Sequence, residues 1–320
     1  MAQSVRITEV APRDGLQNES GVIPTDDKAA LVRACTLAGV DEVEVSSFVS
    51  PRWIPQLGDA AEVFDATARW LATDAPPEAR RVLLSALVPN ERGMQALLDV
   101  NRRAREEHGV DRLIGKASVF TAASETFSRK NTNASIAETI ERFRPVFGLA
   151  REHGLAVRGY VSCVIACPFE GPIAPEAVAD VSRRLAEAGA EEIDLGDTIG
   201  AGTPETVARV IREVRAALGP NAGAITLHLH DTFGRAVECV GAALDEGVRS
   251  FDGAAGGLGG CPYASVGGRR APGNVATGTL VRAVREAGFS CAVDDARLGE
   301  AASLALALTA RAGVSAGGAA

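Results

Sequence analysis

Five times along this chain a helical stretch ends in Ala-Gly, His-Gly or Glu-Gly and an apolar strand follows at once. The junction glycines are Gly39, Gly109, Gly154, Gly189 and Gly247. A glycine just past a helix end takes the left-handed cap conformation without steric cost, so each junction reads as helix stop and strand start. The spacing is one unit of roughly 35–40 residues or twice that, the length of a βα repeat. The missed junctions are filled by strand candidates at Val82–Leu87 and Ala224–Leu227, and Val5–Val10 starts the series. Strict alternation of strand and helix implies a parallel sheet. Eight units over about 290 residues predict an α/β fold, a closed (β/α)8 TIM barrel with a short C-terminal helical extension. A single catalytic domain is expected over 1–310, with a flexible Gly/Ala tail over 311–320; the Pro-rich Thr73–Glu78 stretch reads as a loop.

Composition narrows the partners. The net charge of −8 and pI near 5.2 argue against nucleic acid or an anionic membrane. No apolar run is long enough to span a bilayer, and Met1 leads directly into strand-like residues without a leader pattern, so a cytoplasmic protein is expected. Six scattered cysteines, with one loose C-x3-C pair at Cys163 and Cys167, read as reduced thiols. Cys35, Cys239 and Cys291 read as core, and His108 and His153 as helix C-terminal residues with no catalytic duty.

Two of the four histidines lie one residue apart in Leu227-His228-Leu229-His230. On a strand both side chains leave the same face, which makes a compact start to a metal site. An isolated His-x-His is more often a hydrogen-bonded core pair. Here the other strand ends also carry chemistry: Arg13-Asp14-Gly15 after the first strand, Glu44 on the second, Ser162-Cys163 after the fifth and Asp197-Thr198 after the sixth. A glycine-rich loop carrying Cys261 follows the eighth. Charged groups at apolar strand ends are costly unless paired or metal-bound, and barrel active sites sit at that rim. Asp14 then completes a His/His/Asp set suited to Mg2+ or Mn2+, with Zn2+ also compatible. Duller readings are an ion pair for Arg13 and Asp14, an outward pose for Glu44 and a small buried apolar residue for Cys261.

These residues stand in segments that match a known pattern: Ala11–Glu19 (APRDGLQNE), Ser46–Gln56 (SSFVSPRWIPQ), Gly159–Cys163 (GYVSC), Leu195–Gly200 (LGDTIG), His228–Gly234 (HLHDTFG) and Gly257–Ala264 (GLGGCPYA). Together, over roughly residues 4 to 310, the chain resembles the hydroxymethylglutaryl-CoA lyase family of metal-dependent TIM-barrel lyases. The resemblance implies cleavage of 3-hydroxy-3-methylglutaryl-CoA to acetyl-CoA and acetoacetate, in leucine degradation and ketone-body formation. It implies metal ligands Asp14, His228, His230 and Asn274, with Mg2+ or Mn2+ as the metal. It makes Arg13 a catalytic and substrate contact, Cys261 the catalytic cysteine of a mobile loop, and Glu44, Tyr160, Asp197 and His228 further active-site residues. Asn131 and Ser135 match its CoA-binding side, with Arg129 and Lys130 beside them. An acyl-CoA partner and a homodimer are expected.

Two departures stand out. The stretch from Cys261 to Asn274 is about four residues longer than the pattern, in a region where loops tolerate insertion. The turn after Asn274 reads Ala276-Thr277-Gly278-Thr279, where the family carries an acid. These leave room for a lyase acting on a longer or differently branched 3-hydroxy-3-carboxymethyl acyl-CoA, or for a non-catalytic metal- or CoA-binding barrel. A condensing synthase fits less well, because no length remains for its added domain.

Overall fold

The computed structural model describes residues 3–219, 223–260, 265–266, 269–270 and 273–317. Eight parallel strands close on themselves: β1 (Arg6–Glu9), β2 (Glu42–Ser47), β3 (Leu83–Leu87), β4 (Lys116–Ala122), β5 (Ala156–Ser162), β6 (Glu192–Asp197), β7 (Ala224–Leu229) and β8 (Ser250–Gly253), each paired with its sequence neighbours and β8 paired with β1. Between and after them run α1 (Thr25–Leu37), α2 (Ala60–Thr73), α3 (Glu91–His108), α4 (Glu125–Thr132), α5 (Ile136–Glu152), α6 (Pro175–Ala188), α7 (Pro204–Leu218), α8 (Ala236–Asp245), α9 (Thr277–Glu286) and α10 (Asp295–Gly317). The expected (β/α)8 barrel is therefore the fold.

Two expectations need correction. The fourth strand does not follow Gly109 at once. Gly109 caps α3 in the left-handed region (φ 71°), but the chain to Gly115 stays irregular. Asn101 on α3 holds Ile114 through both its N–H and its carbonyl (2.8 and 2.9 Å), so the apolar Leu113 and Ile114 seal α3 against the barrel, and the strand begins at Lys116. At the other end, helix α10 continues past residue 310 to Gly317. Ala312 is buried, and a Cβ on Gly21 would lie 2.0 Å from the Ala312 carbonyl oxygen, so this part of the segment read as a tail packs closely on the N-terminal region.

The strand sequences alternate apolar and polar, as in Glu-Val-Glu-Val-Ser-Ser and Glu-Ile-Asp-Leu-Gly-Asp. Such alternation commonly marks a sheet with one wet face. In this barrel the polar face is the interior. Side-chain bonds between non-neighbouring strands prove it, since they must cross the lumen: Arg158 on β5 reaches Thr8 on β1 (3.0 Å) and Asp252 on β8 (3.3 Å), and Lys116 on β4 reaches Glu192 on β6 (2.7 Å). Arg158 also donates to Glu192 (2.9 Å) and Glu42 (3.3 Å), and Lys116 to Glu42 (2.5 Å). The interior of most such barrels is filled by branched apolar side chains. Here an ionic cluster fills its lower part, while Val43, Val119, Leu195 and Leu227 face outward under the helices.

Candidate active site

The site begins one residue beyond β1. The carbonyl of Val10 accepts from the N–H groups of Arg13 (3.1 Å), Asp14 (2.8 Å) and Gly15 (3.1 Å), a single wide turn with Pro12 near its start. That turn sets Arg13 and Asp14 side by side at the rim. Across the lumen, His228 and His230 leave the same face of β7, with ring centroids 5.3 Å apart. One ligand atom from each of Asp14, His228 and His230 lies within 4.8 Å of the others.

Asn274 arrives from the opposite end of the sequence. It is pinned beside the end of β7 by Val275 N–H to Leu229 O (2.9 Å) and Asp231 N–H to Gly273 O (2.8 Å). Its amide donates to Asp14 Oδ2 (2.7 Å) and to the Leu258 carbonyl (2.8 Å). Among the described residues its Oδ1 and the Nδ1 of His230 are buried with no hydrogen-bond partner. Buried polar atoms are rarely left unsatisfied, so two orphaned acceptors beside a carboxylate and a second imidazole fit a divalent cation. The four expected ligands do converge. Gly259 closes this corner: it sits at φ 97°, and a Cβ there would meet the Asn274 amide nitrogen at 2.5 Å.

The surroundings tune each group. Arg13 Nε donates to Glu44 (2.5 Å) and Nη1 to Asp14 (2.6 Å), and its guanidinium lies 5.6 Å from the Tyr160 ring centroid. Burial opposes its charge, but Glu44 and Asp14 keep it firmly protonated. Burial opposes ionisation of Asp14 too, yet Arg13 and His228 pull it down to about 2. Burial and the neighbouring His228 push His230 down to about 4, so it is neutral and ready to ligate. His228 goes the other way. Burial lowers it, but the hydrogen bond from Nδ1 to Asp252 Oδ2 (3.2 Å) and the charges of Asp14 and Asp252 raise it on balance. That bond leaves Nε2 for the site, the usual outer partner of a ligating histidine.

An ion held by His228 would have to displace its proton below the raised pKa. Apparent Mn2+ affinity should weaken by about tenfold per pH unit on the acid side of that pKa, with one proton released per ion. Calorimetry in buffers of differing ionisation heat checks this; zero proton release would show His228 already neutral.

A cavity of about 340 Å³ opens above these groups, lined by Arg13, Asp14, Tyr160, His228, His230 and, on the α4 side, Asn131. Gly260 reaches its edge, held by Asn18 Nδ2 on its carbonyl (3.0 Å). Cys261 lies outside the described residues. Glu44 holds Arg13 and is not among the described residues lining the cavity. Asp197 is not brought to it either. Residues 192, 194 and 196 of β6 face inward, so 197 faces out, where its carboxylate accepts from the N–H groups of Ala201 (3.0 Å) and Gly202 (2.7 Å). Burial, partly offset by those bonds, raises it to about 6. Ser135 caps α5, accepting from Glu138 N–H (3.2 Å), and is not among the residues lining the cavity. Cys163 and Cys167 join Ala122 and Phe127 in a small apolar cluster. The residue at 278 faces a different space: Gly278 lines a groove between α9 and α10 with Arg282, Leu298 and Ala302, sharing no residue with the catalytic cavity.

Sequence reasoning missed Asp252, Arg158 and Glu9. The signal for Asp252 is a charged residue beside Phe251 in the short eighth strand; Arg158 and Glu9 likewise stand beside apolar residues in strands five and one.

A family model, HMGL-like, matches residues 4–305. The chain belongs to the HMGL-like family. Hydroxymethylglutaryl-CoA lyase from Pseudomonas mevalonii is 45% identical over 292 residues, 91% of this chain and 88% of that protein. The crystal structure of the HMG-CoA lyase from Brucella melitensis superposes with a TM-score of 0.85 at 43% identity, over 97% of this chain and all of that one. An HMG-CoA lyase from Acinetobacter baumannii, solved with coenzyme A and 3-methylmalate, gives 0.81 at 30% identity over 96% of this chain and 92% of that one. This HMGL-like chain thus shares its barrel and most of its length with these lyases.

Proposed function

We propose that the protein is a carbon–carbon lyase that cleaves 3-hydroxy-3-methylglutaryl-CoA to acetyl-CoA and acetoacetate. The observation that carries the reading is the convergence of Asp14, His228, His230 and Asn274 beside a buried arginine, on a chain 45% identical to a hydroxymethylglutaryl-CoA lyase. Those four residues would hold the ion, with Mg2+ or Mn2+ favoured by the mixed oxygen and nitrogen donors. Once bound, a divalent cation supplies Lewis acidity that lowers the pKa of a hydroxyl beside it.

The chain's own groups do the rest. The bond between C2 and C3 opens when the 3-hydroxyl loses its proton, and Asp14, which has a second carboxylate oxygen besides the one that would hold the ion, is the base at hand; His228, with Nε2 toward the ion and Nδ1 on Asp252, orients the site instead. Negative charge then develops on the thioester oxygen, and Arg13, already oriented by Glu44, meets it with a fixed cation. C2 finally takes a proton, for which Cys261 on the glycine-rich loop is the donor of choice. Tyr160 packs edge-on against His228 (6.2 Å between centroids) and shapes the floor. Asn131 places the CoA moiety on the α4 side, where Lys130 also lines the cavity as a cation for its phosphates.

One assay tests the reading: acetoacetate release from hydroxymethylglutaryl-CoA after chelator treatment, with and without added Mg2+ or Mn2+. Activity is expected only with metal. No release with either ion, by protein that binds the ion, would sink the substrate assignment and leave a metal-binding barrel.

A further inference from the structure

The metal site is assembled from chain segments far apart in sequence, and one buried side chain outside the ligand set touches three of them. Glu9, the last residue of β1, has no exposed surface. Its Oε1 accepts from the N–H of Ala11 (2.9 Å) and the N–H of Ala255 (2.8 Å), and its Oε2 from the hydroxyl of Thr277 (2.7 Å). Ala11 opens the turn that presents Arg13 and Asp14. Ala255 opens the turn that leads to Leu258, whose carbonyl holds the Asn274 amide. Thr277 begins α9, three residues after Asn274.

No hydrogen bond to a cation offsets the burial of this carboxylate among the described residues. Burying a carboxylate without such a partner is expensive, and an apolar residue of similar size would fill the volume more cheaply. What an apolar residue lacks is the ability to accept three hydrogen bonds from three strands of chain at once.

We infer that Glu9 is a positioning residue of the metal centre: its carboxylate clamps together the segments that deliver Asp14, the Leu258 carbonyl and Asn274. The clamp spans 246 residues to Ala255 and 268 to Thr277. Without it, Asp14 keeps the Val10 turn and Asn274 its bonds beside β7 and to the Leu258 carbonyl, but their 2.7 Å contact loses the brace that ties the two segments together. The inference rests on the metal reading above but not on the identity of the substrate.

Its test is Mn2+ binding by electron paramagnetic resonance on the chelator-treated chain, with melting temperature recorded alongside. Glu9→Ala should weaken Mn2+ binding tenfold or more, as loss of an outer partner does. Glu9→Gln keeps Oε1 as acceptor for both amides and should bind within about threefold of the parent. Thr277→Val removes one of the three donors with little change in shape and should fall between them. That variant carries the test if Glu9→Ala does not fold. Folded Glu9→Ala or Thr277→Val with parental Mn2+ affinity would overturn the inference, as would Glu9→Gln no better than Glu9→Ala, since charge and not geometry would then be at work. A parent chain that binds no Mn2+ would remove the metal site itself, a different failure.

Discussion

Arg13→Met should lower kcat by about a thousandfold, near 4 kcal/mol of barrier, while KM changes far less. The reason lies in how the guanidinium is held. Glu44 takes Nε at 2.5 Å and Asp14 takes Nη1 at 2.6 Å, so the fork is fixed before substrate arrives. A cation already in place needs no reorganisation when charge appears on the thioester oxygen, and its effect is then confined to the transition state. Arg13→Lys should recover little, because one ammonium cannot satisfy both carboxylates in that geometry. Removing the guanidinium also strands Glu44, whose Oε1 is already buried without a partner among the described residues. Stability should therefore fall as well, and kcat must be measured well below the variant's melting temperature. Steady-state kinetics decide the point: a raised KM with unchanged kcat would make Arg13 a ground-state anchor only.

How much of this was legible in the sequence depends on how local each cause is. The glycine junctions report backbone sterics within one helix end, so the eight units could be counted, and a pair at positions 228 and 230 shares a face on any strand. The fourth strand starts later than expected because Leu113 and Ile114 look like strand residues, while the Asn101 side chain, 13 residues back, takes both backbone groups of Ile114 out of the sheet. Asp197 was drawn into the active site by its motif, although strand parity alone separates it from Asp194 and Gly196. Glu9 and Asp252 escaped notice for the opposite reason. Apart from Ala11, two residues from Glu9, their partners are 24 to 268 residues away, and nothing in a linear reading says which buried carboxylate meets which donor. The polar barrel interior was equally hidden. Alternation was visible, but which face points inward is a property of closure.

That interior supports the second large effect. Arg158→Met should destabilise the fold by about 3–5 kcal/mol at neutral pH, the usual cost of removing one partner from a buried ionic cluster. Arg158 has no exposed surface and binds Glu42, Glu192 and Asp252 while lying 3.6 Å from Asp194. Lys116 on Glu42 and Glu192, the half-exposed Arg6 on Glu42 and His228 on Asp252 would be left against these four carboxyl groups. The deficit should shrink as the pH falls, and the sign follows from the two states. In the parent, burial works against Glu192, but Arg158 and Lys116 hold it down at about 2, so its contribution is present above the unfolded carboxylate pKa and fades below it. In the variant the stranded carboxyls are raised above their unfolded values, so the penalty is full at high pH and is relieved as they protonate. Both shifts narrow the gap on acidification. Urea unfolding of parent and variant at about pH 7 and pH 5 measures it. A gap that stays constant would mean Arg158 stabilises by packing its stem and not by its charge. Asp252 also loses the guanidinium that braces it under His228, so the same substitution should weaken Mn2+ binding although Arg158 touches no ligand. The barrel floor and the metal site are in this sense one structure, joined through the 3.2 Å bond between Asp252 and His228.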